Sequence, residues 1–399
     1  MHTAPGGFIL DHAVPHRGGL QYREGGAMNP QRRITGCAAG LLAIGCLAIS
    51  PAVSAVELKI LEWEGYISLY EKEFEAWAKS KGKDIDLVFA TNADGSPFYI
   101  GSADDIFENV RKRACDVTTP THNYYKQERG KLIQILHAID SSKLSNYGDI
   151  YPGLRNANYA REGGKLYAVP QLGGSYALAY NAARTSAPAS WTVLLQPDAK
   201  GKFTVTSDQV EANIYQMALL AGVKPADVYD YDKFTPEQRT ATADNLKKLV
   251  ANAASFWGGM PTPEQMKPLT YATDYWFGVA AANAAGQNWK FAEPTEGVTV
   301  WLDNVSIAKH VESDPAKLEA AYLLIDYMIG VDAQAMVAKE FGSVIVNPKA
   351  KAKLAPEQAA AQPGQEFFVE ERFWQPLNDR TRNGFKNMWD DAMAAAGKN

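Results

Sequence analysis

A tryptophan and an aspartate two residues apart, Trp301 and Asp303, stand in the apolar run Val298-Thr299-Val300-Trp301-Leu302-Asp303-Asn304. Residues two apart on a strand point to one side, so the run would present an indole face and a carboxylate together. That pair suits an organic cation. The carboxylate offers a charge-assisted hydrogen bond to an ammonium, and the indole covers methylenes and adds about 0.5–2 kcal/mol of cation–π attraction. The same spacing also fits a core tryptophan followed by an aspartate that opens a turn. Two further acids, Asp208 and Glu211, lie in Thr206-Ser207-Asp208-Gln209-Val210-Glu211, where a strand gives way to a helix. Their D-x-x-E spacing is that of a reciprocal helix cap, yet ligands in α/β folds also gather at the carboxyl ends of strands. Trp63-Glu64-Gly65-Tyr66 follows the first strand in the same way. Its aromatics could staple the next helix or line a cleft.

Signatures of catalysis and of bound cofactors are missing. The sequence holds no G-x-S-x-G, H-E-x-x-H, Walker loop or G-x-G-x-x-G. Beyond residue 55 only His122, His137 and His310 remain, widely spaced and without paired cysteines. No zinc or other metal is expected, and each histidine reads as a surface or hydrogen-bonded structural residue. Cys115 precedes Asp116 in a strand-like context and reads as a buried, inert thiol. The expectation is a binding protein without cofactors, not an enzyme.

The elements that must hold these residues follow the alternation of an α/β fold. Strands are predicted at Leu58 to Leu61, Ile85 to Ala90, Leu166 to Val169, Ser175 to Tyr180, Phe203 to Thr206 and Val298 to Ile307. Tyr70, Phe74 and Trp77 make one helix face, and helices are predicted at Val210 to Leu220, Asn245 to Ala253 and Ala316 to Ile329. In the last of these Leu318, Tyr322, Ile325 and Ile329 form an apolar stripe. The Ala/Gln/Pro-rich stretch from Leu354 to Gln365 reads as an exposed loop.

The amino-terminal 55 residues read as a leader and export signal. Arg32 and Arg33 form a positive region, Thr35 to Ile49 is apolar or small, and Val53-Ser54-Ala55 offers a cleavage pattern, with Met28 the natural start. The run is short of the roughly 20 apolar residues a membrane anchor needs, and a lipid attachment at Cys46 is the less favoured alternative. Cleavage removes four basic and two acidic side chains, taking the formal charge from -5 to -7. A mildly acidic chain without a Lys/Arg cluster is no nucleic-acid binder. The 344 residues left exceed what one core usually serves, so two lobes are expected. Of three cysteines only Cys115 survives cleavage, which leaves no intramolecular disulfide.

Taken in order, several segments resemble the periplasmic spermidine/putrescine-binding proteins of ABC importers, within the extracellular solute-binding protein family. They are Leu61-Glu62-Trp63-Glu64-Gly65-Tyr66, Cys115-Asp116-Val117-Thr118-Thr119-Pro120-Thr121, Tyr167-Ala168-Val169-Pro170, Ala177-Leu178-Ala179-Tyr180-Asn181, Ser190-Trp191, Lys200-Gly201, Thr206 to Glu211, Gly297 to Ile307 and Trp374-Gln375. The resemblance implies a two-lobed periplasmic binding protein fold of type II, with crossings near Tyr180 and Trp301. Lobe 1 would be 56–179 plus 302–332, and lobe 2 would be 180–301 plus 333–399. It implies that Trp63, Tyr66 and Trp301 are aromatic walls and that Asp208, Glu211 and Asp303 receive ammonium groups. Thr121 and Gln375 would be polar contacts. The implied partners are a small cationic solute, putrescine- or spermidine-like, and an inner-membrane ABC permease; the implied setting is the periplasm, as a monomer.

This sequence departs from the family where Gly173-Gly174 stands in place of a Trp before Gly-Ala, and where His122-Asn123 follows Pro120-Thr121. Fewer walls imply a roomier pocket. The stretch 92–105 is longer than its counterpart and would form a loop over the cleft. The alternatives are a sensing subunit for a membrane receptor, a secreted enzyme, or the same fold with another cargo. Tyr124-Tyr125 is similar to the tyrosines of ferric binders but has no accompanying His/Glu set, which favours helix packing.

Overall fold

Two long strands carry the architecture, and both contain the residues that drew attention in the sequence. The computed structural model describes residues 54–127, 131–368 and 372–398. Within them the strands are β1 (Val56–Leu61), β2 (Ile85–Phe89), β3 (Val117–Thr118), β4 (Arg161–Glu162), β5 (Lys165–Leu166), β6 (Val169–Asn181), β7 (Phe203–Thr206), β8 (Ser255–Trp257), β9 (Tyr271–Asp274), β10 (Trp289–Phe291), β11 (Thr299–Ile307) and β12 (Val344–Ile345). The helices are α1 (Glu71–Ser80), α2 (Ala103–Arg111), α3 (Pro152–Arg155), α4 (Val210–Leu220), α5 (Pro236–Asn252), α6 (Pro263–Met266), α7 (Phe277–Ala284), α8 (Pro315–Met328), α9 (Val331–Phe341), α10 (Pro356–Ala361) and α11 (Asp379–Ala396). The leader, signal and Cys46 of the sequence reading lie outside the described residues, apart from Ser54 and Ala55 at the end of the cleavage pattern.

The main sheet runs β2-β1-β3-β11-β6-β9-β7-β8. At one end β2, β1 and β3 are parallel, and at the other β9, β7 and β8 are parallel. The antiparallel pair β11–β6 joins the two ends, and every residue of both strands is buried. Burial on both faces is why these strands lack a polar side. Two separate strands were predicted over Leu166 to Tyr180. Instead β6 is one continuous strand of 13 residues, with a short β4–β5 hairpin before it.

The β6–β11 ladder slips by one residue between Asp303 and Asn304, which face Leu172 and Pro170, leaving Gln171 as the extra residue. A bulge is where a strand tolerates proline, which has no N–H for the ladder, and where a side chain can be re-aimed. Gly173 and Gly174 leave no vacancy where the sequence implied a roomier pocket. A Cβ on Gly174 would lie 2.6 Å from Trp301 Cζ2, so the indole itself fills that space, and Leu302 and Phe368 crowd Gly173.

The helices follow from their apolar faces. Tyr70, Phe74 and Trp77 all meet Tyr327 of α8, with ring centroids 5.3–5.6 Å apart. Helix α5 starts well before the predicted Asn245, at a Thr235/Gln238 capping box with Pro236 at its first position. Its first half is polar, which hid it from a periodicity argument. The stretch from Leu354 to Gln365 is not simply an exposed loop. It contains α10, and buried Gln362 accepts from Ile345 N and donates to Ser343 O. The stretch 92–105 makes an exposed turn over 92–97, returns with Ile100 N bonded to Glu62 O beside Trp63, and enters α2 behind the Ser102 cap. Among the described residues no single helix is long and apolar enough to cross a membrane.

Candidate ligand-binding cleft

At the centre of β11, Asp303 is buried and accepts a 2.8 Å hydrogen bond from the Tyr66 hydroxyl on Oδ2. Tyr66 is on the turn that follows β1, 237 residues earlier in the chain. Thr121, just beyond β3, pairs with Asp303 through a single β-bridge, and its hydroxyl faces the same carboxylate. The other oxygen, Oδ1, is buried without a hydrogen-bond partner. Burial raises the Asp303 pKa to about 7, against the opposing pull of Thr121 and Tyr66. A raised acid pKa means that the folded, unliganded protein binds a proton that the unfolded chain has lost. The contribution to stability is therefore present at low pH and is lost as pH rises from about 4 through about 7. A bound cation reverses the preference, because it stabilises the carboxylate.

Trp301, two residues before Asp303, is buried with its Nε1 unpartnered. Its ring meets Phe277 at 5.5 Å and Tyr275 edge-on at 6.3 Å. Tyr66 reaches Phe277 at 6.5 Å and Phe341 at 6.0 Å, so aromatic rings supplied by both ends of the sheet close around Asp303. Trp63 is half-buried. Its backbone N donates to Thr119 Oγ1, and its Nε1 is buried without a partner. Tyr275 and Phe277 flank Trp276, which holds a left-handed backbone (φ 88°) at the start of α7. A bulky residue tolerates that conformation only when its surroundings enforce it. Here Trp276 Nε1 donates to Ser175 Oγ and the ring packs on Phe291 at 4.8 Å.

Asp208 and Glu211 lie at the start of α4 but do not form the reciprocal cap that their spacing allows. Gln209 is the cap residue, without a side-chain bond. Asp208 is exposed and turned towards neighbouring donors: Thr206 Oγ1, Gln209 N and Gly259 N. Glu211 is half-buried, and its pKa is raised by burial, with Arg382 opposing and Asp208 adding to the shift. Tyr124 is half-buried beside Thr121. Burial raises its pKa, and the charges of Asp303, Glu211 and Asp208 all push it further. Tyr124 packs against the hydrophobic core, in line with its reading as a packing residue. The turn over His122–Tyr124, with Tyr124 N bonded to Thr121 O, carries the ring back over Thr121.

Gln375 is not brought to the carboxylates by any hydrogen bond. Its amide folds back onto Phe373 O. The neighbouring Trp374 is the better-placed residue: its Nε1 donates to Thr299 Oγ1, and its ring meets Tyr275 at 6.0 Å. His122, a departure from the family pattern, is a buried cross-link. Nε2–H donates to Trp374 O at 2.7 Å, which leaves Nδ1 to accept from Leu302 N at 3.1 Å. Burial lowers its pKa to about 4, so it is neutral. His137 and His310 bond to Glu312 and Asp116, and Cys115 is a buried thiol raised to about 12 by burial. Among the described residues, no group of His, Cys, Asp and Glu is arranged to hold a metal ion.

The profile of the bacterial extracellular solute-binding proteins matches residues 122–371. The chain belongs to that family. The spermidine/putrescine-binding periplasmic protein of Escherichia coli is 26% identical over 326 residues, covering 80% of this chain and 87% of that protein. Among solved structures, the spermidine/putrescine ABC transporter substrate-binding protein of Streptococcus pneumoniae superposes with a TM-score of 0.67 at 17% identity. The match covers 86% of this chain and all of that one. A binding protein from A. tumefaciens R10 in complex with agropinic acid gives 0.58 at 17% identity, covering 86% of this chain and 99% of that one. The two-lobed α/β architecture of this family is the one expected from the sequence.

Proposed function

We propose that this chain is the periplasmic solute-binding subunit of an ABC importer, a binding protein and not an enzyme, and that it captures a diamine, polyamine or related organic cation. Export would use the signal read in residues 1–55, and the bound form would be presented to an inner-membrane permease. The lobes read from the sequence would change in two places: the pairing of Ala177–Tyr180 with β9 favours a pivot near Gly173–Gly174, and α9 and β12 pack on residues read as lobe 1, with Phe341 against Tyr66 and Val344–Ile345 paired with Gly173 and Leu172.

The observation that carries the cationic reading is Asp303. A buried carboxylate with one oxygen unmatched is costly unless a positive group completes it. An ammonium donates to that oxygen, while Trp301, Trp63 and Tyr66 cover the methylenes. The second acidic group, Asp208 and Glu211, stands ready for the other end of the solute, and Thr121 and Tyr124 supply polar edges between. Ligand touching both lobes favours the closed state by its differential affinity for it. The similarity to spermidine/putrescine-binding proteins supports the same class of solute.

Calorimetric titration of the mature protein with putrescine, spermidine, agmatine and choline tests the reading. At least one should bind with a Kd of about micromolar or tighter. Silence across the panel would reject the amine reading and leave the family assignment standing.

A further inference from the structure

Gly174 of β6 is flanked by two strands that pair with β6 from opposite edges. On one edge β11 sets Trp301 directly opposite Gly174. On the other, β12 sets Val344 opposite Gly173 and Ile345 opposite Leu172, an antiparallel register that carries Ser343 to the level of Gly174. Trp301, Gly174 and Ser343 therefore make one row across the sheet, and residues in such a row project to the same face. The indole leans over the glycine: a Cβ on Gly174 would lie 3.1 Å from Trp301 Nε1. Trp301 and Ser343 are both buried, yet Trp301 Nε1 and Ser343 Oγ are each enclosed without a hydrogen-bond partner among the described residues. Indole and hydroxyl do pair nearby, where Trp276 Nε1 donates to Ser175 Oγ and Trp374 Nε1 to Thr299 Oγ1, both at 3.0 Å. Ser343 is also firmly held, since Gln362 Nε2 donates to Ser343 O at 2.9 Å and Gln362 Oε1 accepts from Ile345 N at 3.0 Å. Two residues from Trp301 along β11, on the same face, Asp303 Oδ1 is likewise unmatched.

We propose that Trp301 Nε1–H and the Ser343 hydroxyl form an oxygen subsite beside Asp303, so that the solute carries an uncharged oxygen acceptor besides its ammonium, as an amino alcohol or an N-acyl diamine does. This rests on the amine reading and narrows it. An ammonium has hydrogens to give and no lone pair, so it completes Asp303 and leaves the two donors unmatched; an indole N–H can only donate. A hydroxyl or amide oxygen between the indole and Ser343 accepts from both, and one solute then matches all three atoms. Two residues of strand span about 6.6 Å, which sets the ammonium and the oxygen about three or four methylenes apart. A carboxylate in the oxygen subsite would face the like charge of Asp303 in a site shielded from water, so the acceptor is a neutral one.

The test is calorimetric titration of the mature wild-type protein, W301F and S343A with 4-amino-1-butanol and with 1-aminobutane, which has the same ammonium and lacks the oxygen. Wild type should bind the alcohol at least about tenfold more tightly than the alkylamine. W301F keeps an aromatic ring and removes the N–H, and S343A removes the hydroxyl; each should lower the ratio of the two Kd values by about three- to tenfold. If W301F does not fold, S343A decides. 4-Aminobutanoate should bind wild type more weakly than the alcohol, and tighter binding overturns the neutral acceptor. Wild type that binds 1,4-diaminobutane without preferring the alcohol to the alkylamine, or a ratio unchanged in S343A, overturns the oxygen subsite and leaves the amine reading intact. Failure of wild type to bind any of these amines overturns both.

Discussion

Asp274 and Asp303 are both fully buried aspartates on strands of the same sheet, and burial raises both pKa values to about 7. They differ in what meets the carboxylate. Asp274 ends β9 and accepts from Tyr275 N, Gly278 N and Val279 N at 2.7–3.1 Å, satisfying backbone donors that the first turn of α7 would otherwise leave open. Asp303 receives the Tyr66 phenol on Oδ2 and faces the Thr121 hydroxyl, while Oδ1 has no hydrogen-bond partner. The same burial therefore serves two ends. A carboxylate surrounded by backbone N–H groups is a structural cap, and one left half-matched among aromatic rings is where the proposed cation would sit. Burial and a raised pKa do not separate the two cases. The partners do.

The comparison breaks if the two residues respond alike to substitution. The largest effect is expected for Asp303→Asn, which keeps the shape and removes the charge. Amine affinity should fall by about 100-fold or more, while the free protein stays as stable or becomes more so, because an uncompensated buried charge is gone. Asp274→Ala should do the opposite. Chemical denaturation should show a loss of about 2–3 kcal/mol from stranded helix N–H groups, with Kd changed only a few-fold. Smaller is Gly174→Ala, whose Cβ would meet Trp301 Cζ2 at 2.6 Å. Displacing that indole should weaken amine binding by about tenfold and cost about 1–2 kcal/mol of stability. Smallest is Tyr66→Phe, which removes the phenol from Asp303 and should raise Kd by about three- to tenfold, read by the same titration.

The sequence made some of this legible. The apolar run from Val298 to Ile307 placed Trp301 and Asp303 on one strand, and the apolar stripe of Leu318, Tyr322, Ile325 and Ile329 marked α8. Other features depend on contacts between residues far apart in the chain and carry no local signal. The hydrogen bond from Tyr66 to Asp303 spans 237 residues. Gly173-Gly174 read as missing walls because the sequence does not show Trp301 and Phe368 filling the space above them. Asp208 and Glu211 had the spacing of a cap, but a donor from Gly259 won the Asp208 carboxylate. Asp274 drew no attention at all, since one acid between a strand and a helix looks like any other. Gln375 had only its resemblance to speak for it, and its amide is held by its own backbone neighbour.

The central claim is that an ammonium completes the Asp303 carboxylate. Its most direct test is the proton balance of binding, obtained by titrating 1,4-diaminobutane into the protein at pH 7 in two buffers of different ionisation enthalpy. With Asp303 near half-protonated when free, binding should release up to about half a proton. The release should vanish in Asp303→Asn, and wild-type affinity should fall as pH drops below about 7. Tight binding with no proton released, or with the same release in Asp303→Asn, would contradict the claim.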